Sequence, residues 1–167
     1  MTEGGASRVD RAVEALGRIK GLRPEVWERR DTRGRLDVLQ EAENALAAAQ
    51  GRAPEARVIS HEAGPDDYGY YDGEANSISI GSYSLAHDYV REVVDTLAHE
   101  SRHAYQQWAV NQPTLHDEGA EVAAWRKNME NYTMYEDDPV RYAEQPVEVD
   151  ARRYARVIAD RLYGGIA

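Results

Sequence analysis

The chain has 167 residues and a mass of 18.8 kDa, with 42% apolar and 30% charged residues, so it is long enough for one hydrophobic core and too short for two full-sized domains. Twenty Lys and Arg against thirty Asp and Glu leave a net charge of −10, which disfavours phosphate backbones and anionic lipid surfaces as partners, so neither nucleic acid nor membrane is expected. No cysteine is present, which removes disulfides, thiol catalysis and thiolate zinc sites; a metal would have to be held by His, Asp, Glu or water.

Residues 1–7 are small and polar and read as a flexible end. They carry no hydrophobic run of the kind a secretory signal needs, and no stretch of 18 apolar residues follows, so the cytoplasm is the default expectation. Export by a route that uses no cleaved peptide is equally consistent with these features. The whole of 1–167 reads as one domain.

A helix is predicted from about Arg8, through Val9, Val13, Leu16 and Ile19, up to the interruption at Gly21 and Pro24. A longer helical stretch runs from Glu25 to Ala49, with a break expected near Gly34, and Gly51 and Pro54 end it. Arg57–His61, Tyr68–Tyr71 and Asn76–Ile80 read as strands, the last two joined by a turn through Gly73, Glu74, Ala75 and Asn76. Asn76–Ile80 alternates polar and apolar residues through Ile78 and Ile80. These segments predict a small, mostly antiparallel sheet of three or four strands.

After Gly81 the pattern turns helical. Val90, Val93, Val94, Leu97, Ser101, Ala104 and Trp108 recur on one face up to Pro113. A further helix is predicted over 117–132, and a last one starts at Pro146 and continues through Ala151, Tyr154, Ile158 and Leu162 to Gly164 and Gly165. The fold class is therefore α+β.

The strongest helix carries His99-Glu100-Ser101-Arg102-His103, an HExxH motif. Two imidazoles four residues apart project from one helix face within reach of one ion. At 100° per residue, the apolar stripe lies roughly 140° from the direction of the His pair, so one face can be core while the other lines a cleft. Glu100 points to the side of the pair, as a general base acting on a metal-bound water should. The bland alternative is a solvated His/Glu/Arg face on an ordinary helix.

A catalytic zinc needs a third protein ligand and an open position. The metzincin pattern is excluded, because Gln106 stands where it requires Gly and Ala109 where it requires its third His. His116 lies beyond Pro113 in a loop, while His61 and His87 read as a strand end and a helix start. Glu148 is the preferred ligand: it flanks the buried stripe of the last helix, where a carboxylate is costly unless something charged meets it. An arginine such as Arg102 or Arg152 is the competing partner for it. Glu144 precedes Pro146 and ranks second, and Asp150, on another face, suits a supporting or salt-bridge role.

HExxH on one helix with a Glu on a later helix resembles the gluzincin arrangement of zinc metallopeptidases with a zincin-like fold. The strings YYDGEANSISIG, LAHESRHAYQ and YAEQPVEVDARRYA are similar to compact bacterial members, including toxin-type metallopeptidase domains and, more remotely, the group that cleaves transcriptional repressors. The resemblance spans about Trp27 to Tyr163. It implies Zn2+ held by His99, His103 and Glu148, with Glu100 activating the water that attacks a peptide carbonyl, and strand Asn76–Ile80 as the edge that receives an extended protein or peptide substrate. It also implies a Tyr or His that stabilises the oxyanion, for which Tyr142 is preferred over Tyr135 and His116. The chain departs from larger gluzincins at Arg152, where an Asp that orients a ligand histidine is often found. A partner or inhibitor protein, a non-catalytic binding or regulatory role, a helical interaction protein in which HESRH is incidental, and hydrolysis of another amide or ester are the other expectations the sequence leaves open.

Overall fold

The computed structural model describes residues 7–164. Among them the chain forms helices α1 (Arg8–Gly17), α2 (Pro24–Trp27), α3 (Thr32–Gln50), α4 (Ser82–His87), α5 (Val90–Asn111), α6 (Gly119–Glu130), α7 (Pro139–Glu144) and α8 (Pro146–Tyr163). Strands β1 (Arg57–His61), β2 (Gly69–Asp72) and β3 (Ser77–Gly81) complete an α+β fold. No helix among the described residues is long and apolar enough to cross a membrane.

Most of the flexible end expected over residues 1–7, namely 1–6, lies outside the described residues, as does Gly165. Ser7 is ordered as the cap of α1: its hydroxyl accepts from the Asp10 N–H, and the Asp10 carboxylate accepts from the Ser7 N–H in return. The break in the second helical stretch falls before Gly34. Glu28 and Arg29 form a turn, and the Asp31 carboxylate caps α3 by accepting from the Gly34 N–H at 2.8 Å. His87 ends α4 instead of starting a helix, and α7 is a short helix that hydrophobic periodicity does not reveal.

The sheet corrects two expectations. It has three strands in the order β1-β3-β2, with β1 parallel and β2 antiparallel to β3, so it is mixed and not mostly antiparallel. Residues 76–80 therefore supply a central strand, not the edge, and β3 is buried along its whole length. The cause is the connection from β1 to β2, which crosses the end of β3 and delivers β2 to the far side. At the crossing, the Ala63 N–H donates to the Ser82 hydroxyl at 3.0 Å and the Gly81 N–H donates to the Tyr68 carbonyl at 2.8 Å. A Cβ on Gly81 would lie 2.1 Å from the Asp67 carbonyl oxygen, so only glycine allows the crossing.

The main core joins α1, α3, α5 and α8 to the sheet through Leu16, Leu39, Leu46, Ile78, Leu97 and Ile158. A smaller cluster of Tyr105, Ala109, Val122, Trp125 and Val147 fastens α6 to α5 and α8. The α5 and α8 pairing is the most extensive between helices. Ala98 on α5 and Ala151 and Ala155 on α8 are buried side chains small enough to permit close approach of the two backbones. This pairing brings HESRH and Glu148, 45 or more residues apart in the chain, to one place.

Candidate metal centre

The five residues of the motif sit in the middle of α5 and face three ways. Ser101 is fully buried against α3. Its hydroxyl donates to Glu43 at 2.8 Å and accepts from Arg52 at 3.0 Å, within a buried group that also holds Gln50 and Tyr154. Arg102 points to α8, where Asp150 accepts from it at 2.7 and 3.2 Å, and its guanidinium lies over the rings of Tyr105, Tyr154 and Trp125 at 4.7, 4.9 and 5.4 Å. His99, Glu100 and His103 are half-buried and face a cleft.

Glu148 reaches the two imidazoles from the first turn of α8, whose positive end favours a carboxylate. His99 Nε2 and His103 Nε2 are 3.1 Å apart; Glu148 Oε2 lies 3.1 Å from His99 Nε2, and Oε1 lies 3.4 Å from His103 Nε2. Ligand atoms around a tetrahedral zinc, each about 2.0–2.2 Å from the ion, stand about 3.3–3.6 Å from one another. The three side chains thus have the chemistry and spacing to hold a metal ion.

Glu148 is 2% exposed, and neither arginine weighed as its partner reaches it: Arg102 is bound to Asp150, and Arg152 donates to the Ala143 carbonyl. Its third partner is the Tyr132 hydroxyl, which donates to Oε1 at 2.6 Å. Burial acts against its charge, but hydrogen bonds from His103 and His99 outweigh that and hold the carboxyl far below the usual range. Burial likewise acts against a charged His103, and the Glu148 hydrogen bond with the nearby carboxylates overcomes it, raising that ring to about 9.

Glu100 is pushed up, chiefly by burial; the charges of His103 and His99 and a hydrogen bond from the Tyr71 backbone act the other way. It lines both cavities that flank the His pair. One, of about 510 Å³, is walled by Tyr70, Met129, Tyr132 and Met134; the other, of about 700 Å³, is walled by Asp66, Asp95, Tyr135 and Glu136. Tyr142, from α7, lines both, and burial with the Glu148 charge pushes its hydroxyl up to about 12. Tyr135 is 59% exposed at the rim, its ring centroid 5.8 Å from that of Tyr142.

The remaining candidates lie elsewhere. His116 is held by the Tyr105 hydroxyl at 2.6 Å on the other side of α5, and His61 by Ser79 and Asp67 at the end of β1. Glu144 is exposed at the end of α7. Tyr132 and Gln106 were not anticipated. No spacing marks Tyr132 among 11 tyrosines, whereas Gln106, one turn after His103, shares the face of its histidine and could have been considered on that ground.

The edge of the sheet beside Glu100 is β2. The Gly81 to Tyr68 hydrogen bond sets the phase of the antiparallel ladder, so the backbone groups of Gly69 and Tyr71 turn outward. The outward Tyr71 N–H is the one that meets Glu100. A Cβ on Gly69 would stand 2.6 Å from the Ser79 carbonyl oxygen and 3.0 Å from Thr96 Cγ2, so this glycine lets β2 lie directly on α5.

No family model, no curated protein and no solved structure matches the chain.

Proposed function

We propose that the chain is a zinc-dependent peptidase of the gluzincin type with a zincin-like fold, acting on a protein or peptide. The observation that carries this reading is the convergence of the buried Glu148 carboxylate on the two imidazoles of HESRH, with both candidate arginines engaged elsewhere. His99, His103 and Glu148 would hold the ion. A bound zinc supplies Lewis acidity, lowering the pKa of its water and polarising the scissile carbonyl.

Glu100 takes a proton from the attacking water and returns it to the leaving amine. Its half-buried carboxylate beside the His pair, with a raised pKa, suits both halves of that transfer. Tyr142 is the oxyanion donor; Tyr132, whose one proton goes to Glu148, packs beside it. Burial first, and then the neighbouring Glu148, push both hydroxyls up, so each keeps its proton at neutral pH. An extended substrate adds to β2, the edge strand beside Glu100, and not to β3.

The experiment is cleavage of a mixed peptide library by zinc-loaded protein, read by mass spectrometry. Glu100→Gln is expected to keep its zinc and lose about 10²–10⁴-fold in rate. Zinc-loaded protein that cleaves nothing, or a Glu100→Gln variant as active as wild type, overturns the peptidase reading and leaves a non-catalytic metal-binding module.

A further inference from the structure

Gln106 is fully buried one turn after His103, and every polar atom of its side chain is engaged. Its amide nitrogen donates to the Val147 carbonyl at 2.9 Å and to Asp150 Oδ2 at 2.8 Å. Neither partner can donate in return: one is a main-chain carbonyl, and the other is a carboxylate that accepts from Arg102 through both oxygens. The amide is therefore held in one orientation. Turned over, it would set its oxygen against two acceptors in a buried place.

In the orientation that remains, Gln106 Oε1 faces His103 Nδ1 at 2.9 Å. An amide oxygen only accepts, so Nδ1 must carry a hydrogen, and Nε2 is left as the atom that faces His99 and Glu148. We infer that Arg102, Asp150 and Gln106 form a relay of positioning residues that commits His103 Nδ1 as a donor and Nε2 as the metal-facing atom. The relay crosses from α5 to α8 and back, and Asp150 lies two residues after Glu148. One turn of α8 thus supplies a ligand and orients another. Arg152, bound to the Ala143 carbonyl, takes no part. The value of the relay to a metal rests on the zinc reading; the state of Nδ1 does not.

The test is ¹H–¹⁵N NMR of histidine-labelled protein at neutral pH, metal-free and with zinc, beside zinc affinity from chelator competition. The wild type is expected to show a His103 Nδ1–H protected from solvent exchange in both states. Gln106→Leu and Asp150→Asn are expected to lose that protection and to bind zinc about 10- to 100-fold more weakly, although Asp150 touches none of the three ligands. A wild type without a protected Nδ1–H overturns the inference by itself, whether or not the variants fold. Variants that keep both the resonance and the affinity also overturn it. A protected Nδ1–H in protein that takes up no zinc supports the relay and defeats the zinc reading, so the two fail separately.

Discussion

The Tyr132 hydroxyl donates to Glu148 Oε1 at 2.6 Å, making the loop after α6 part of the environment of the buried carboxylate. A hydrogen bond to a charged acceptor contributes about 1.5–3 kcal/mol, and the 40% exposure of Tyr132 places it at the low end. Tyr132→Phe is expected to destabilise metal-free protein by about 1–2 kcal/mol in urea unfolding and to weaken zinc binding severalfold. No change in either would show that the hydroxyl adds nothing to the site.

The His103 and Glu148 pair makes stability pH-dependent, and zinc binding is expected to follow it. His103 is raised to about 9 from an ordinary 6.5, so its contribution is fully present below pH 6.5 and is lost as pH rises through 9. Glu148 is depressed, so its contribution is present above pH 4.5 and disappears as pH falls. Metal-free protein should therefore gain most from the pair between about pH 4.5 and 6.5. A metal needs Nε2 unprotonated, so zinc binding at pH 7 should release a proton and tighten up to about pH 9. Calorimetry in buffers of different ionisation enthalpy counts that proton; binding that is independent of buffer and pH would contradict the pairing.

Behind the motif, Arg52 and Glu43 form a fully buried pair at 2.5 Å that holds Ser101. Arg52→Ala leaves the Glu43 charge buried and uncompensated, which costs about 3–5 kcal/mol. Urea unfolding should show that loss, and Arg52→Met combined with Glu43→Leu should recover most of it. A loss below about 1 kcal/mol would mean that water or relaxation replaces the arginine.

Gly69 lets edge strand β2 lie against α5 beside Glu100. A side chain there meets the Ser79 carbonyl, so Gly69→Val must displace β2 from β3 and α5. The variant is expected to lose about 1–3 kcal/mol of stability and most of its peptide cleavage while retaining its zinc. Unimpaired cleavage would remove β2 from the account of substrate binding.

The elements that carry the site were legible where their signals are local. The apolar repeat from Val90 to Trp108 marks α5, Pro146 and Gly164 bracket α8, and the cost of a carboxylate beside the buried stripe singles out Glu148. The hairpin turn at Gly73–Asn76 was legible too; Asn76 adopts a left-handed φ of 49° there. Pairings between distant segments were not. Nothing near residues 77–81 tells that strand that β1 will arrive on its other side, because the order follows from a crossing of the chain at Gly81. Arg102 and Asp150 each read as a charge on a helix, and their union depends on the angle at which α5 meets α8. Tyr132 carries no local sign at all.

Zinc content, measured by elemental analysis on protein purified without an affinity tag, decides whether His99, His103 and Glu148 hold an ion. Wild type should carry about one zinc per chain, and His103→Ala and Glu148→Ala should each lose most of it while staying folded by circular dichroism. Folded wild type that is metal-free and cannot be loaded at neutral pH would contradict the account, leaving the His99, His103 and Glu148 group as a buried ion pair.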